Sequence, residues 1–134
     1  MISRVAVIKA VLVVLRAGGK PVGLNGAPDP APRRYQVLEI PASQLHDEGD
    51  LDDSERHLLI RFSIRTVATA NDREAAALAA TEEADSARTR MRTQAITGTG
   101  WKAVSVETLS TSGIDNEGTL ANLVDDFQLL AVPA

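Results

Sequence analysis

The sequence predicts a single α+β domain over residues 1–134: a mostly antiparallel sheet of about four strands flanked by an N-terminal helix and a central helix. Three segments carry this prediction: an apolar run near the N-terminus, a strand-like alternating run at residues 58–65, and an alanine-rich run at residues 72–93. The predicted order is α-β-β-α-β-β. A chain of 134 residues that is 44% hydrophobic is long enough to close one core.

The first helix is predicted from about residue 2 to residue 17. Lys9 and Arg16 lie seven residues apart and therefore share one face, and Gly18 and Gly19 supply a left-handed C-terminal cap. The valine-rich composition leaves a strand as the alternative. Lys9 interrupts the apolar run, which is also too short to cross a bilayer, so we expect neither a signal peptide nor a membrane span.

Residues 18–34 form a Pro/Gly-rich arm with four prolines and four glycines. This composition excludes a helix and disfavours a central strand. Connections of this length inside compact domains are unusual and are often functional. We expect the arm to be held in place, with a partner subunit as one candidate.

Two strands are predicted next, at residues 35–40 and from residue 58 onward. In the second, Leu58, Ile60, Phe62 and Ile64 alternate with residues that include Arg61 and Arg65, which predicts one core face and one basic face. The two strands are expected to pair antiparallel, with residues 46–57 as an acidic hairpin tip.

The central helix is predicted at residues 72–93, capped by Asn71 with Glu74 three residues later. Small residues at helical spacing are expected to pack closely on the sheet: Ala76, Ala80, Ala84, Ala87 and Met91. Two further strands follow at residues 102–111, with Val104 and Val106 inward, and at residues 124–132, after a turn at residues 115–118.

The acidic tip is the first candidate functional feature. It carries six carboxylates: Asp47, Glu48, Asp50, Asp52, Asp53 and Glu55. An EF-hand loop starting at Asp50 fails, because Glu55 stands at the glycine position and Arg61 at the position of the last glutamate. His46 and His57 flank the tip and could imitate a two-histidine, one-carboxylate metal site. The spacing favours a solvated or partner-facing loop instead.

Charge and composition exclude several other functions. A net charge of −4 disfavours a protein whose main task is to bind phosphates, and the absence of cysteine excludes thiol catalysis and cysteine-ligated zinc. The serines lack the context of a nucleophile elbow. The sequence therefore offers no recognisable catalytic motif. Four arginines could touch nucleic acid, but are expected to meet carboxylates of the same chain or of a neighbour, and so form a candidate basic face between subunits: Arg61, Arg65, Arg88 and Arg92.

The order of elements, together with the segments "YQVLEIP", "RHLLIRFSIRTVA" and "NDREAAALAATEEADSARTRMR", resembles the tail terminator proteins of long-tailed, siphovirus-type bacteriophages, part of the wider group of tail-completion and neck proteins. The closing segment "VETLSTSGIDNEGTLANLVDDFQLLAV" belongs to the same resemblance. The similarity lies in the order and character of the elements over nearly the whole chain, and not in a diagnostic motif.

The resemblance implies a structural virion protein of the tail or neck, not an enzyme and without a cofactor, that is assembled in the host cytoplasm. Such proteins form a six-membered ring that caps the tail tube, stops polymerisation of the tube protein and offers a surface to the head-tail connector or stopper. DNA would pass the pore without specific binding, past an acidic wall. Carboxylates after Trp101 could contribute to that wall or face a neighbouring subunit: Glu107, Asp115, Glu117, Asp125 and Asp126.

Two alternatives stay open. The first is another phage neck protein, such as a head-completion or stopper protein. The second is a small metal- or calcium-binding module, or a metal-dependent enzyme, that uses residues 46–57. No membrane partner is expected in any of these cases.

Overall fold

The computed structural model describes residues 2–41 and 57–134, and this part of the chain contains two helices and seven strands. The helices are α1 (Arg4–Arg16) and α2 (Arg73–Thr93). The strands are β1 (Val22–Leu24), β2 (Arg34–Glu39), β3 (Leu58–Thr69), β4 (Thr97–Gly98), β5 (Trp101–Thr111), β6 (Asp115–Glu117) and β7 (Leu120–Pro133).

One curled sheet contains all seven strands, in the order β1-β2-β3-β7-β5-β4, with β6 paired to β7 beside β5. The predicted α+β fold with about four strands in the order α-β-β-α-β-β is therefore wrong. The chain is a mixed α/β protein in the order α-β-β-β-α-β-β-β-β. The prediction missed β1, β4 and β6, which have two or three residues each and too little local pattern to identify.

The first segment is a helix, as predicted, and the strand alternative is wrong. Ser3 caps α1 by accepting a hydrogen bond from the backbone N–H of Ala6 at 3.2 Å. The helix ends at Ala17, and the left-handed conformation belongs to Gly19, whose φ is +81°. Among the described residues, neither helix is long and apolar enough to cross a membrane.

The Pro/Gly-rich arm runs beside β2 of its own chain. Its strand β1 pairs with β2 in parallel, at the outer edge of the sheet. Beyond β1, the N–H of Asn25 donates to the carbonyl of Leu38 at 2.8 Å, and the Asn25 side chain accepts from the N–H of Ile40 at 2.7 Å. Because these bonds satisfy backbone groups that the edge of β2 would otherwise leave open, the arm completes that edge.

Strands β2 and β3 pair antiparallel over residues 34–39 and 63–68, as predicted. Strand β3 also pairs with β7 along its whole length, from Leu58 opposite Ala131 to Thr69 opposite Leu120. This register places the even-numbered residues of β3 and the odd-numbered residues of β7 on one face, which α1 and α2 cover. We call this the covered face. The other is the open face, because no helix among the described residues packs on it.

Two clusters form the core of the covered face. Near α1 the cluster consists of large side chains, including Leu15, Ile60, Phe62, Phe127 and Leu129. Near the start of α2 it is built almost entirely from alanine. The predicted small-residue stripe of α2 is confirmed, because all five of its members are buried. The predicted cap is wrong by one residue, since Asp72 rather than Asn71 accepts from the backbone N–H of Ala75 at 2.7 Å.

Strand β5 departs most from its predicted pattern. Its pairing with β7 shifts between Ala103 and Ser105 and again between Thr108 and Ser110, which marks two β-bulges. The first bulge leaves Val104 52% exposed, so the prediction that it points inward is wrong. Beyond Lys102, β5 pairs with β7 on one side only within the described chain.

Candidate functional site

The open face carries a polar network across its central strands. Ser63 of β3 lies opposite Asp126 of β7, and Ser110 of β5 lies opposite the same aspartate. The Ser63 hydroxyl donates to Oδ1 of Asp126 at 2.6 Å, and the Ser110 hydroxyl donates to Oδ2 at 2.8 Å. One carboxylate therefore joins three strands through side chains, in addition to the backbone ladder.

These hydrogen bonds determine the charge state of Asp126. The bond from Ser63 lowers the pKa of Asp126 most and the bond from Ser110 lowers it further, while partial burial acts in the opposite direction and is outweighed. Asp126 is thus a carboxylate at neutral pH and a poor proton donor. Its two serine partners donate to a weak base, an arrangement that does not activate a hydroxyl as a nucleophile.

Two arginines of β3 extend the network on either side of Asp126. Nε of Arg61 donates to Oε1 of Gln128 at 3.0 Å. Arg65 donates to Oδ1 of Asn122 at 3.3 Å and lies 3.5 Å from a carboxylate oxygen of Glu39 on β2. These bonds run across the strands, so they add cross-strand pairing to the open face.

A shallow depression of about 310 Å³ lies at the centre of this face. It is lined by Pro41, Arg61, Phe62, Ser63, Leu109, Ser110, Asp126 and Phe127. Its lining mixes the polar groups named above, which already bond to one another, with apolar side chains such as Leu109.

The structure separates the four predicted arginines. Arg61 and Arg65 lie on the open face, whereas Arg88 and Arg92 lie on α2, which packs on the covered face. Arg92 is exposed, but Arg88 reaches the sheet, where its Nε donates to Oδ1 of Asp125 at 3.0 Å. The four side chains therefore do not form one surface.

Arg88 and Asp125 form an ion pair between α2 and β7. Asp125 is 1% exposed and also accepts from the Thr111 hydroxyl at 2.5 Å, while Arg88 makes a second ion pair with Asp85 one helical turn away. Desolvation lowers the pKa of Arg88, but the hydrogen bonds and charges of Asp125 and Asp85 outweigh it and raise the pKa above its usual value. This buried pair fixes α2 on the sheet.

The carboxylates after Trp101 divide into two groups. Asp125 and Asp126 are engaged inside the subunit, as described. Glu107, Asp115 and Glu117 are exposed, and no ion pair joins them to another described residue. They lie opposite Gln128, Asn122 and Leu120 of β7, so all three stand on the open face along the β5–β6 side of the sheet. We call these three residues the acidic margin.

The acidic tip falls almost entirely outside the described residues. This applies to its six carboxylates, Asp47, Glu48, Asp50, Asp52, Asp53 and Glu55, and to His46. His57 is described and is exposed immediately before β3. Within residues 2–41 and 57–134, no group of three or more histidine and acidic side chains is arranged to hold a metal ion.

Exposed aliphatic side chains are the feature that sequence reasoning missed. Val5 and Val13 are 59% and 69% exposed on α1, and Leu78 is exposed on α2. On the sheet, Leu59 of the open face and Leu109 of the second β5 bulge are exposed as well, followed by Ile114 before β6. The spacing of Val5, Lys9 and Val13 at four-residue intervals could have identified the first group, because it puts both valines on the charged side of α1.

Comparison with known proteins leaves the chain without an assigned family. No protein-family model matches it, and no curated protein is significantly similar to it in sequence.

Proposed function

We propose that this protein is a structural subunit of a bacteriophage tail: a tail terminator that forms a ring, caps the tail tube and joins it to the head-tail connector. The proposal rests on the resemblance in the order and character of the sequence elements. The structural observation that supports it is the position of the exposed aliphatic side chains, which occur both on the helical layer and on the side of the open face.

Assembly explains this distribution better than a single binding site would. Isolated exposed aliphatic residues are normal on a monomer, but here large ones stand on opposite sides of a small domain. A subunit that joins its neighbour head to tail needs two different contact patches, one on each side. A two-fold dimer, in contrast, would need only one self-complementary patch.

The electrostatics are compatible with a DNA channel. The net charge is −4, and the sequence places six carboxylates in the acidic tip at residues 46–57. A ring that presents such carboxylates to its pore would repel the phosphates of passing DNA and so let the DNA move without being held. The open face carries Arg61 and Arg65 as well, but Gln128, Asn122 and Glu39 engage them.

The decisive experiment combines the assembly state with tube capping. Native mass spectrometry and negative-stain electron microscopy of the purified protein are expected to show a ring of about six subunits with a central pore. Added to the polymerising tail tube protein encoded in the same genome, the ring is expected to shorten the tubes and to appear at one end of each.

Two results would contradict the proposal. A monomer that leaves tube length unchanged would exclude a tail terminator. A ring that binds the head-tail connector but not the tube would identify another neck protein instead. Bovine serum albumin at the same concentration controls for nonspecific effects on tube growth.

A further inference from the structure

The outward face of α1 has a composition unusual for a solvent-exposed helix. Val5, Lys9, Val13 and Arg16 are all exposed, and their helical positions fall within one arc of about 80°. We call these four residues the α1 stripe. Its two large aliphatic side chains sit between cationic ones, with no carboxylate on the helix to neutralise them.

The charge of this end of the chain is one-sided. The first acidic residue in the sequence is Asp29, whereas Arg4, Lys9, Arg16 and Lys20 precede it. Lys9 forms no ion pair within the described chain, and Arg16 donates one hydrogen bond, to the carbonyl of Val22 at 3.1 Å. Among the described residues, no carboxylate pairs with the α1 stripe, which is therefore a cationic and apolar surface.

The acidic margin offers the complementary composition on the other side of the molecule. Glu107, Asp115 and Glu117 lie there, and the exposed aliphatic residues Leu109 and Ile114 fall between them in the chain. No cationic residue follows Lys102 in the sequence. Arg73 stands nearby, since its carbonyl accepts from the Asn116 side chain at 3.4 Å, but no ion pair joins it to Asp115 or Glu117.

The dimensions of the two surfaces agree. From Val5 to Arg16 the stripe extends about 17 Å at 1.5 Å per residue. From Gln128, opposite Glu107, to Leu120, opposite Glu117, the acidic margin extends about 26 Å at 3.3 Å per residue. The stripe fits within that length, and the aliphatic side chains of each surface can then contact those of the other.

We infer that the α1 stripe of one subunit docks on the acidic margin of the next copy of this chain. The contact is head to tail, because the stripe belongs to the helical layer and the margin to the open face. This inference rests on the proposed ring and specifies which surfaces close it. One helix face is much smaller than the roughly 800 Å² per partner of a standard stable interface, so a closed ring, in which every subunit makes two such contacts, fits this contact better than a dimer.

Charge reversal tests the contact directly. The stripe variant Lys9→Glu/Val13→Glu and the margin variant Glu107→Lys/Glu117→Lys are each expected to raise the protein concentration at which rings dissociate by at least tenfold. Each places like charges opposite one another. The combined four-site variant restores opposite charges in exchanged positions and is expected to return that concentration to within about threefold of the wild type. Analytical ultracentrifugation at several protein concentrations measures the concentration at which the rings dissociate.

A matched control separates the contact from net charge. Arg92→Glu/Gln94→Glu changes the net charge by the same amount as the stripe variant, at two exposed positions in the last turn and the C-cap of α2. It is expected to leave ring dissociation unchanged. Circular dichroism of all variants checks that the fold is intact, which is expected because every substituted side chain is exposed.

The outcomes distinguish this inference from the proposed function. If the wild-type protein forms no ring, the proposed function is wrong. A wild-type ring that the stripe or margin variant leaves intact, or that the four-site variant fails to restore, overturns the docking arrangement while the ring stands. A stripe variant that keeps its ring but no longer caps tubes would show that the α1 stripe faces the tube protein, which also overturns the inference.

Discussion

Asp125 and Asp126 are consecutive residues of β7, yet the two faces of the sheet use them in different ways. On the covered face Asp125 is 1% exposed and bonds to Arg88 of α2. On the open face Asp126 accepts from two serines and stays partly exposed. The covered face thus combines apolar burial with ion pairs that include Arg88–Asp125, whereas the centre of the open face carries cross-strand hydrogen bonds. We therefore expect the covered face to contribute more to the free energy of unfolding than the open face.

The largest expected effect comes from the apolar part of the covered face. Phe127 is buried and stacks on Phe62, with ring centroids 5.6 Å apart. Phe127→Ala is expected to lower the free energy of unfolding by about 4 kcal/mol, because it leaves a cavity in the cluster of large side chains. Urea denaturation at a fixed protein concentration measures this. Gln128→Ala, one residue further along and on the open face, is the control and is expected to cost about 1 kcal/mol or less. If both variants lost the same free energy of unfolding, the two faces would contribute equally to stability and the comparison would be wrong.

Loss of the Arg88–Asp125 ion pair on the covered face is expected to cause the second-largest loss of stability. Arg88→Met leaves the Asp125 carboxylate buried without a cation and is expected to cost about 3 kcal/mol. Thermal unfolding compares it with Arg92→Met, an exposed arginine of the same helix that should change stability by about 0.5 kcal/mol or less.

A second substitution identifies the cause of that loss. The double variant Arg88→Met/Asp125→Leu is expected to regain most of the stability, because an apolar pair replaces the buried carboxylate that has lost its cation. Failure to regain it would mean that Arg88 acts through packing alone.

The smallest effect concerns the open face and depends on pH. Because its hydrogen bonds lower the pKa of Asp126, the stability that these bonds add is fully present above the carboxyl pKa of the unfolded chain, about 4, and is lost as the pH falls below it. The stability difference between the wild type and Asp126→Asn is therefore expected to shrink between pH 6 and pH 3. Urea denaturation along this pH series measures it.

A serine variant is the control for the pH experiment. Ser63→Ala/Ser110→Ala keeps the carboxylate but removes the two donors, so it should lose the additional acid sensitivity as well. If this variant keeps the acid dependence of the wild type, another group must account for that dependence.

Long, regular segments could be predicted from the sequence, whereas pairing-dependent ones could not. The alternation around Phe62 and the alanine spacing of α2 are local patterns, and both elements formed where predicted. Strands β1, β4 and β6 exist because a longer neighbour offers an open edge, and three residues carry no periodicity of their own. The strand count was wrong for this reason.

The candidate surfaces were partly predictable. The arginines of β3 were placed on one strand face correctly, but residue spacing alone could not reveal that Arg88 turns inward to a carboxylate 37 positions away in the chain. Likewise, the carboxylates after Trp101 look alike in sequence. Only the register of β5 and β7 separates the bonded Asp126 from the exposed Glu107.

The two bulges of β5 affect how the outer edge of this strand can meet other polypeptide chains. A long, flat strand with one unpaired edge is a template on which other chains can add strands and aggregate. The bulges at Val104 and Leu109 interrupt the regular pattern of backbone hydrogen-bonding groups along that edge. The regular stretch between them is therefore only a few residues long. The bulged edge is therefore expected to resist strand addition and cross-β stacking.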